Sequence, residues 1–247
     1  MKIENKDFWE KDQIISTQDI QKNAADFELF MFQEAQQRYI EYGEVREIKI
    51  FGCGTGREIG AIANFYNPDR IVASDISENM INKCRANIVE WGIDSITETQ
   101  VSNAVFYQGT KNTFDLVTLL NSMLTYVPNR GDRLTIFKTS LEILKPNASI
   151  IGTVHNQVGT PLKTLYFKIR SLFSPFLGET VGNRNTGFKG FKVLGYYYTK
   201  NGLQRDLEAA GFKNIEIYSL EEYYLKFNQT YNRKKGYNNL IFISTKP

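Results

Sequence analysis

The sequence contains very few of the residues that bind metals or form disulfides. Among its 247 residues there are two cysteines and one histidine. Cys53 and Cys84 are 31 positions apart and form no C-x-x-C pair, which excludes a disulfide-rich scaffold and argues against a zinc site. We therefore expect no bound metal.

Long apolar segments are missing as well. The longest apolar stretches, such as residues 148–154 and 215–220, are far shorter than the roughly 20 residues that a membrane-spanning helix needs. The first seven residues mix both charges and lack the apolar core of a secretory signal. Together with the scarcity of cysteine, these absences favour a cytoplasmic protein.

The amino-acid composition is typical of a globular domain. Hydrophobic residues make up 42% of the chain and charged residues 23%, which excludes a disordered or fibrous protein. The net charge of +3 is unevenly distributed: residues 1–155 hold 16 Lys and Arg against 21 Asp and Glu, whereas residues 156–247 hold 14 against 6. The basic C-terminal part favours an anionic partner or substrate.

Strands and helices alternate along most of the chain. A first helix is predicted over residues 20–39, preceded by a capping-box pattern at residues 16–19. Such alternation predicts an α/β fold, a doubly wound, mostly parallel sheet with helices on both faces. The predicted strands are residues 48–51, 70–74, 96–102, 114–120, 149–154, 214–218 and 240–245, and the helices between them are residues 57–66, 77–90, 134–144 and 202–210.

A glycine-rich loop follows the first of these strands. Gly52, Gly54 and Gly56 are spaced G-x-G-x-G before a helix, where the backbone has to turn sharply and approach a ligand closely. Asp75 ends the second strand, where nucleotide-binding folds place a carboxylate that accepts hydrogen bonds from ribose hydroxyls. The alternative for Asp75 is a role only as the cap of the following helix.

The glycine spacing distinguishes between ligands. Dinucleotide-binding folds use G-x-G-x-x-G, whereas this sequence has Arg57 directly after its third glycine. The arrangement resembles the class I S-adenosylmethionine-dependent methyltransferases, of the small-molecule type, without identifying a subfamily. The resemblance covers residues 48–212. Six motifs carry it, in the order of the family: residues 51–56, 74–80, 101–104, 114–117, 144–147 and 209–212.

This resemblance implies a fold, a co-substrate and a set of binding residues. The implied fold is a Rossmann-like, mostly parallel sheet of seven strands with an antiparallel last strand and a helical cap inserted after the fifth strand. The implied co-substrate is S-adenosyl-L-methionine, with no metal. The implied cofactor-binding residues are Gly52, Cys53, Gly54, Thr55, Gly56, Asp75, Ile76, Asn103, Ala104, Asn121 and Met123.

Two positions depart from the pattern of the family. The family usually has an acidic residue two positions before the first glycine, where it often orders the methionine ammonium group, and this sequence has Ile50 there. The position beside the adenine is Asn103 where Asp is usual. The side-chain carbonyl of asparagine still offers an acceptor to the adenine amino group.

His155, the single histidine, directly follows the fifth predicted strand. Ligands of open parallel sheets bind at the carboxyl ends of the strands, and an unperturbed imidazole titrates at about pH 6.5, so His155 is the candidate catalytic base. A solvated or hydrogen-bonded loop histidine is the alternative. Residues 120–123 lack the N/D-P-P-Y/F tetrapeptide of enzymes that methylate base amino groups, and neither cysteine is placed as a nucleophile.

Residues 156–205 carry eight Lys and Arg against a single acid. We expect this segment to cap the acceptor pocket, and four glycines between residues 178 and 190 predict a flexible stretch within it. Two alternatives stay open: a helix that packs its apolar face on the core with its cations in water, and a helix that contacts a membrane surface through residues 162–177. The candidate substrate-binding residues are Lys163, Lys168, Arg170 and Arg184.

The sequence thus predicts one methyltransferase domain over residues 1–247. Its expected parts are an N-terminal helical lid (1–45), a cofactor-binding core (46–155), a basic and apolar substrate cap (156–205), and a C-terminal helix with the final strands (206–247). The expected reaction is methyl transfer to an oxygen or nitrogen atom of a small or medium-sized anionic acceptor, such as a nucleotide-linked sugar or a phosphorylated metabolite. The alternatives are an RNA or lipid methyltransferase that uses the basic C-terminal half, a non-catalytic S-adenosylmethionine-binding module, and a nicotinamide-dependent oxidoreductase.

Overall fold

The computed structural model of the protein describes residues 5–18, 23–188, 190–232 and 238–247. Strands and helices alternate over most of these residues. The strands are β1 (Glu47–Phe51), β2 (Arg70–Asp75), β3 (Thr97–Val101), β4 (Phe114–Leu119), β5 (Leu144–Val154), β6 (Asn183–Phe188), β7 (Phe191–Tyr196), β8 (Lys213–Ser219) and β9 (Leu240–Thr245).

The helices connect and cover these strands. Short 3₁₀ helices also occur at Asp94–Ile96, Ala104–Phe106, Met123–Tyr126 and Gly178–Gly182. The α-helices are α1 (Lys6–Trp9), α2 (Asp12–Gln18), α3 (Asp26–Tyr39), α4 (Arg57–Tyr66), α5 (Glu78–Glu90), α6 (Arg130–Ile143), α7 (Pro161–Leu172), α8 (Ser174–Leu177), α9 (Lys200–Ala210) and α10 (Leu220–Lys226).

Seven strands form one sheet in the order β3-β2-β1-β4-β5-β9-β8. The pairs among β1 to β5 are parallel, and β9 lies antiparallel between β5 and β8. The strand order reverses at β1, so the carboxyl ends of β1 and β4 flank a crevice in which folds of this type bind ligands. The predicted Rossmann-like fold, including the antiparallel last strand, is confirmed.

Burial of both sheet faces explains why the central strands are mostly apolar. Ile48, Ile50, Leu116, Val117 and Ile150 have no exposed surface, as expected for parallel strands covered by helices on both sides. Their hydrophobic burial leaves the strand ends as the places where polar side chains reach solvent.

Two helices begin four or more residues away from their predicted starts. α3 starts at Asp26, where the Glu28 carboxylate accepts a hydrogen bond from the N–H of Ala25 (2.8 Å), whereas the predicted capping residues 16–18 lie inside α2; Asp19 and Ile20 are outside the described residues. α6 starts four residues early because the Asn129 side chain caps it, accepting a hydrogen bond from the N–H of Asp132 (3.1 Å).

Much of the stretch predicted to be flexible has regular secondary structure, the 3₁₀ helix Gly178–Gly182 and the strand β6. β6 and β7 pair antiparallel with each other, apart from the main sheet. At Gly182 a side chain would lie 2.6 Å from the Tyr197 carbonyl oxygen and from the Tyr196 ring. The glycine at this position therefore permits close packing, and it does not signal flexibility.

None of the helices in the described ranges combines the length and apolar composition that crossing a bilayer requires.

Candidate functional site

A cleft lies at the carboxyl ends of β1, β2 and β4 and contains most of the predicted cofactor residues. Three of its lining residues come from the N-terminal segment, Met80 and Ile136 come from α5 and α6, and the others lie at the carboxyl ends of β1 to β4 or in the loops that follow these strands. The predicted residues that line it are Gly52, Gly54, Asp75, Ile76, Asn103, Ala104, Asn121 and Met123. The further lining residues are Asn5, Lys6, Trp9, Met80, Ser102, Tyr126, Val127 and Ile136.

The glycine loop leaves no room for a side chain at its first position. Gly52 has φ +70, and a Cβ there would lie 2.3 Å from Cγ of Met123 and 2.8 Å from its Cβ. Gly56 has φ +93, and a Cβ there would meet the sulfur of Cys84 at 2.9 Å. The backbone at these positions requires glycine for its conformation and for its close contacts.

Three predicted residues of the loop do not line the cleft. The side chains of Cys53 and Thr55 are buried, and Gly56 packs against Cys84 beneath the loop. Contact with a bound nucleoside would have to involve their backbone groups. Their assignment as cofactor-binding residues stays a prediction.

Asp75 is held at the end of β2 by backbone groups from two segments. Its Oδ2 accepts a hydrogen bond from the N–H of Gly54 (2.9 Å), and its Oδ1 accepts one from the N–H of Ser77 (2.9 Å). Ser77 itself caps α5 by accepting a hydrogen bond from the N–H of Met80 (3.1 Å). Asp75 is therefore more than a helix cap, because it also fixes the glycine loop. Burial raises the pKa of Asp75 in spite of these hydrogen bonds.

Asn103 is positioned on the cleft wall by its own turn. Its Oδ1 accepts a hydrogen bond from the N–H of Val105 (3.0 Å) and so begins the 3₁₀ helix at Ala104–Phe106. The carbonyl that the sequence analysis assigned to the adenine is thus already engaged, and only its second lone pair is left for a ligand.

The loop after β4 has an unusual backbone. Asn121 and Ser122 have φ +52 and +56, in the left-handed region that non-glycine residues seldom adopt. Two such residues in succession turn the chain sharply, and the Asn121 side chain reaches the cleft. Strained conformations of this kind are maintained where the surrounding contacts fix them, which is common at functional sites.

A polar network fixes Asn121. Its Nδ2 donates a hydrogen bond to Oε2 of Glu58, and its Oδ1 accepts one from Nη2 of Arg57 (2.8 Å). Arg57 in turn forms a bidentate ion pair with Glu28 in α3, with N–O distances of 2.6 and 3.0 Å. Both polar atoms of the Asn121 side chain are therefore oriented by side chains of α4.

Glu58 was not among the predicted site residues. It is 1% exposed, and its Oε1 has no hydrogen-bond partner among the described residues. Burial raises the pKa of Glu58 to about 8, against the opposing charge of Arg57. The only sequence signal was an acidic residue in the first turn of the helix that follows the glycine loop, which the macrodipole alone also explains.

The N-terminal segment closes one side of the cleft. Trp9 lines the cleft, and Asn5 donates hydrogen bonds to the carbonyl oxygens of Tyr126 (2.8 Å) and Leu194 (2.9 Å). Phe8 instead packs in a small apolar cluster that includes Val193. This segment therefore connects the cofactor cleft with the β6–β7 hairpin of the cap.

A second group of polar side chains surrounds His155, directly after β5. The His155 ring lies 5.0 Å from the ring of Tyr197 and 5.8 Å from that of Tyr126, which lines the cleft. The cationic groups of Lys163 and Arg184 each lie 5.8 Å from the Tyr197 ring. We call these five residues the basic cluster.

The electrostatics of the basic cluster favour an anion. Burial, then the charges of Lys163 and Arg184, lowers the pKa of His155 to about 4. Burial and the charge of Arg184 lower the pKa of Lys163 to about 8. Among the described residues Arg184 forms no ion pair, and its guanidinium contacts only the Tyr166 and Tyr197 rings. A bound negative charge would relieve this repulsion between cations.

The other two predicted substrate contacts lie elsewhere. Lys168 is exposed on α7. Arg170 donates hydrogen bonds to the carbonyl oxygens of Val181 (2.9 Å) and Thr180 (2.6 Å), which fixes α7 on the turn that follows α8. The structure therefore brings Lys163 and Arg184 to His155 and leaves Lys168 and Arg170 apart from it.

α7 does not pack its apolar face on the core, and that interpretation is wrong. Its large apolar side chains are mostly exposed, including Leu162 (81%) and Leu172 (78%). Phe167 is the buried side chain of this helix, with its ring 5.2 Å from that of Tyr197.

No group of three or more His, Cys, Asp or Glu side chains that could hold a metal ion occurs in the parts of the chain described. Cys53 and Cys84 are both buried and unoxidised beneath the glycine loop.

Comparisons with known proteins agree with this geometry. Residues 48–147 match a family model described as a methyltransferase domain. A solved S-adenosylmethionine-dependent methyltransferase from Methanosarcina mazei superposes with a TM-score of 0.61 at 21% identity, covering 82% of this chain and 93% of that chain. A putative one from Listeria monocytogenes superposes with a TM-score of 0.62 at 17% identity, covering 88% and 96%.

A third similar structure is phosphoethanolamine N-methyltransferase 2 from Haemonchus contortus, in complex with phosphomonomethylethanolamine and S-adenosylhomocysteine. It superposes with a TM-score of 0.60 at 15% identity, covering 99% of this chain and 61% of that chain. No sequence among the curated proteins matches this chain.

The fold and the cleft define a class of protein. The matched residues 48–147 contain the glycine loop, Asp75, Asn103 and Asn121, and the structures with the same fold are S-adenosylmethionine-dependent methyltransferases. Residues 48–147 are therefore similar to a methyltransferase domain, and the fold is the one that these S-adenosylmethionine-dependent methyltransferases share. The resemblance found in the sequence is confirmed.

Proposed function

We propose that the protein transfers a methyl group from S-adenosylmethionine to a nitrogen or oxygen atom of a small or medium-sized anionic acceptor. The donor supplies a methyl group on a positively charged sulfur; the acceptor lone pair forms the new bond to carbon while sulfur keeps the electrons of the bond that breaks. The observation that carries the proposal is the basic cluster, which lies beside the cofactor cleft and shares Tyr126 with it.

The residues of the cleft fit the parts of the donor. Asp75, at the end of β2, would accept hydrogen bonds from the ribose hydroxyls with the lone pairs that its two backbone partners leave free. Asn103 and Ala104 would contact the adenine. The bare backbone at Gly54, which lines the cleft and has no atom within 4 Å of a would-be Cβ, leaves room for the nucleoside to lie against the loop.

Glu58 and Asn121 would hold the methionine end. The acid expected at position 50 is replaced by Ile50, which has no exposed surface, so no carboxylate is available from β1. Glu58 supplies one from the following helix, with an unpartnered buried oxygen next to Asn121. An ammonium group at this place would give that oxygen a partner and offset its desolvation.

The basic cluster would hold the anionic end of the acceptor. Arg184 and Lys163 offer several N–H donors that suit phosphate or carboxylate oxygens. Fixing the acceptor there, in line with the methyl group, is the main contribution the protein makes, since such positioning contributes about 7–11 kcal/mol in favourable cases. The similar Haemonchus contortus enzyme is in complex with an acceptor that carries a phosphate group, which supports this class of acceptor.

His155 stays a prediction as the catalytic base. With a pKa of about 4 its imidazole is neutral at pH 7 and a weak base, which favours an acceptor such as an amine that needs little help in losing a proton. A bound anion would raise the pKa of His155 by offsetting the charges of Lys163 and Arg184. The base would then become stronger only when the acceptor is present.

Calorimetric titration with S-adenosylhomocysteine tests the cofactor site. We expect binding by the wild type and binding weakened by about tenfold or more in Asp75→Ala, the loss typical of a hydrogen bond to a charged group. Asp69→Ala is the matched control, because Asp69 is an exposed carboxylate just before the other end of β2. Equal affinities of Asp75→Ala and the wild type would remove Asp75 from the site.

Acceptor pairs that differ only in a phosphate test the basic cluster. We expect methyl transfer to phosphoethanolamine to exceed transfer to ethanolamine, and Arg184→Met to reduce that preference by about tenfold. Lys168→Met is the control, because it removes a cation of the same cap that does not face His155. Equal rates on both members of each pair would contradict an anionic acceptor. Binding of S-adenosylhomocysteine without transfer to any acceptor of either kind would favour the non-catalytic alternative.

A further inference from the structure

The apolar side chains of the cap point away from the protein. On α7 the exposed apolar positions recur at spacings of three and four residues, so at 3.6 residues per turn they fall within about one third of the helix circumference. Two further exposed rings follow, Phe173 between α7 and α8 and Phe176 in α8. Phe167 lies on the opposite side. The exposed residues, which we call the apolar ridge, are Leu162, Leu165, Tyr166, Ile169, Leu172, Phe173 and Phe176.

Packing beneath the helix fixes this orientation. Phe167 stacks near Tyr197 with ring centroids 5.2 Å apart, and Arg170 is bound to the carbonyl oxygens of Val181 and Thr180. Rotating α7 to bury the apolar ridge would expose Phe167 and break both hydrogen bonds of Arg170. A contiguous exposed apolar surface of this kind marks an interaction site in a folded protein.

The charges around the apolar ridge indicate what covers it. Residues 161–177 contain Lys163, Lys168 and Arg170 and no acidic residue, and Lys192 is exposed on the adjacent hairpin. The nearest acid along the chain, Glu179, lies 3.5 Å from Arg130. A second copy of the chain would bring two basic, acid-free surfaces together, which is unfavourable.

We propose that the apolar ridge docks the protein on an anionic lipid bilayer. The apolar side chains would enter the boundary between headgroups and acyl chains, and the flanking cations would contact the headgroups, the arrangement of an interfacial amphipathic helix. Basic residues near such a surface gain from its negative potential, and the gain falls as salt screens it.

Docking would also place the acceptor end of the site near the lipid headgroups, a consequence that rests on the proposed function. Lys163 lies on the inner side of α7, within the basic cluster, while the apolar ridge lies on its outer side. A helix is about 10 Å across, so docking would bring the acceptor end of the site close to the headgroups. An acceptor that belongs to an anionic lipid headgroup would then reach the basic cluster directly.

Co-sedimentation with lipid vesicles tests the docking surface. We expect the wild type to bind vesicles of phosphatidylcholine and phosphatidylglycerol in equal parts about tenfold more strongly than vesicles of phosphatidylcholine alone, and less strongly as salt is raised. We expect Phe176→Glu, at a side chain that is 88% exposed, to lose about tenfold or more of that binding. Val89→Glu is the control, at an apolar side chain that is 63% exposed on α5.

Several results would overturn the proposal. They are no binding of the wild type to anionic vesicles, equal binding by Phe176→Glu and the wild type, or a wild-type dimer that Phe176→Glu converts to a monomer. Titration with S-adenosylhomocysteine without vesicles is expected to give the same affinity for all three proteins, because these residues are far from the cleft lining. This measurement separates a failure of docking from a failure of the proposed methyl transfer.

Discussion

Residues 46–155, the core, and residues 156–205, the cap, differ in their charge balance and in where their apolar side chains lie. Residues 46–155 hold eleven Lys and Arg against eleven Asp and Glu, whereas residues 156–205 hold eight against one. In the core Arg57 is paired with the buried Glu28, and apolar side chains fill the sheet. In the cap Lys163 and Arg184 converge on the Tyr197 ring, and the apolar ridge faces outward.

This difference corresponds to two proposed tasks, binding of the co-substrate in the core and attraction of an anion in the cap. A site that holds one constant co-substrate gains from side chains that are fixed before binding, because the cost of ordering them is already paid in folding. The hydrogen bonds of Asp75 and Asn121 provide that rigidity. A region that must attract an anion and contact another surface gains instead from unneutralised charge and exposed apolar area. The predictions below test each half of this comparison in turn.

The largest effect is expected in the glycine loop. Gly52→Ala would place a methyl group 2.3 Å from Cγ of Met123 at a φ of +70. Both the overlap and the conformation are unfavourable, so we expect the affinity for S-adenosylhomocysteine, measured by calorimetry, to fall about a hundredfold.

The control for this change is Gly92→Ala. Gly92 has φ +69 with no atom near its would-be Cβ, so this variant carries the conformational cost alone. It is expected to lose about 1 kcal/mol of stability and to bind S-adenosylhomocysteine like the wild type. Similar affinities in the two variants would mean that the packing of Met123 against Gly52 is not required for binding.

The next largest effect is expected where the core and the cap meet. The buried Arg133 of α6 donates hydrogen bonds to the Tyr198 hydroxyl (2.8 Å) and to the carbonyl oxygens of Val127 (2.9 Å) and Pro128 (2.8 Å). Arg133→Met removes the donor from both carbonyl oxygens and leaves the Tyr198 hydroxyl with Asp206 as its partner, and we expect urea unfolding to show a loss of about 2 kcal/mol.

Lys138→Met removes an exposed cation from the same helix and should change the free energy of unfolding by about 0.5 kcal/mol or less. Equal losses in the two variants would show that the Arg133 contacts do not fasten the cap to the core.

Glu58 tests the claim that the core is prepared for the methionine end. Its pKa of about 8 leaves it mostly protonated at pH 7, and a bound ammonium group would lower that pKa and release part of a proton. Calorimetry of S-adenosylhomocysteine binding in two buffers of different ionisation enthalpy measures this release. We expect Glu58→Gln to abolish it and Glu90→Gln, at an exposed carboxylate of α5, to preserve it. Unchanged release in Glu58→Gln would assign the proton to another group, with Asp75 the first to examine.

Glu58 also makes the free energy of unfolding depend on pH, in a direction that its pKa fixes. Because the folded pKa of Glu58 lies above the ordinary value of 4.5, the folded state binds more protons, and the wild type loses stability as pH rises from about 4.5 to about 8. Glu58→Gln should therefore gain stability relative to the wild type across that interval, by a few kcal/mol at most.

Much of the core was predictable from the sequence because its signals are local. The glycine spacing, the strand before it and the acid at the end of the next strand all lie within residues 48–75. Each of them can be recognised from the conformation that the backbone must adopt at that place. Glu58 was missed because its significance depends on Asn121 and Arg57 together, and only the folded chain brings these residues into contact. In the same way Glu28, 29 residues before Arg57, could not be assigned as its partner.

The cap was less predictable for a different reason. The spacing of apolar residues in α7 indicates a helix with one apolar stripe, but it contains no information on which side of the helix meets the protein. That choice was decided by Phe167 and Arg170, whose contacts lie in later segments. The glycines around the hairpin were misleading for a similar reason, since Gly182, which ends the 3₁₀ helix before β6, is needed for packing against Tyr196.

The smallest expected effect concerns the cations of the cap, and the single histidine makes it measurable. One imidazole signal in a proton NMR titration reports the pKa of His155, which is lowered to about 4 by burial and then by Lys163 and Arg184. Removing one of these charges raises it, so we expect Arg184→Met to shift the pKa upward by about one unit, and Lys168→Met to leave it unchanged. Because the folded pKa is below the unfolded value, the wild type also loses stability as pH falls from about 6.5 to about 4, and Arg184→Met should lose less.

Inorganic phosphate should raise the pKa of His155 in the wild type and have a smaller effect in Arg184→Met, since the anion offsets the charge that the substitution has removed. A His155 pKa that does not respond to phosphate or to Arg184→Met would show that Arg184 does not interact with His155 and that no anion binds beside it. The proposed contrast between an anion-binding cap and a neutralised core would then be wrong.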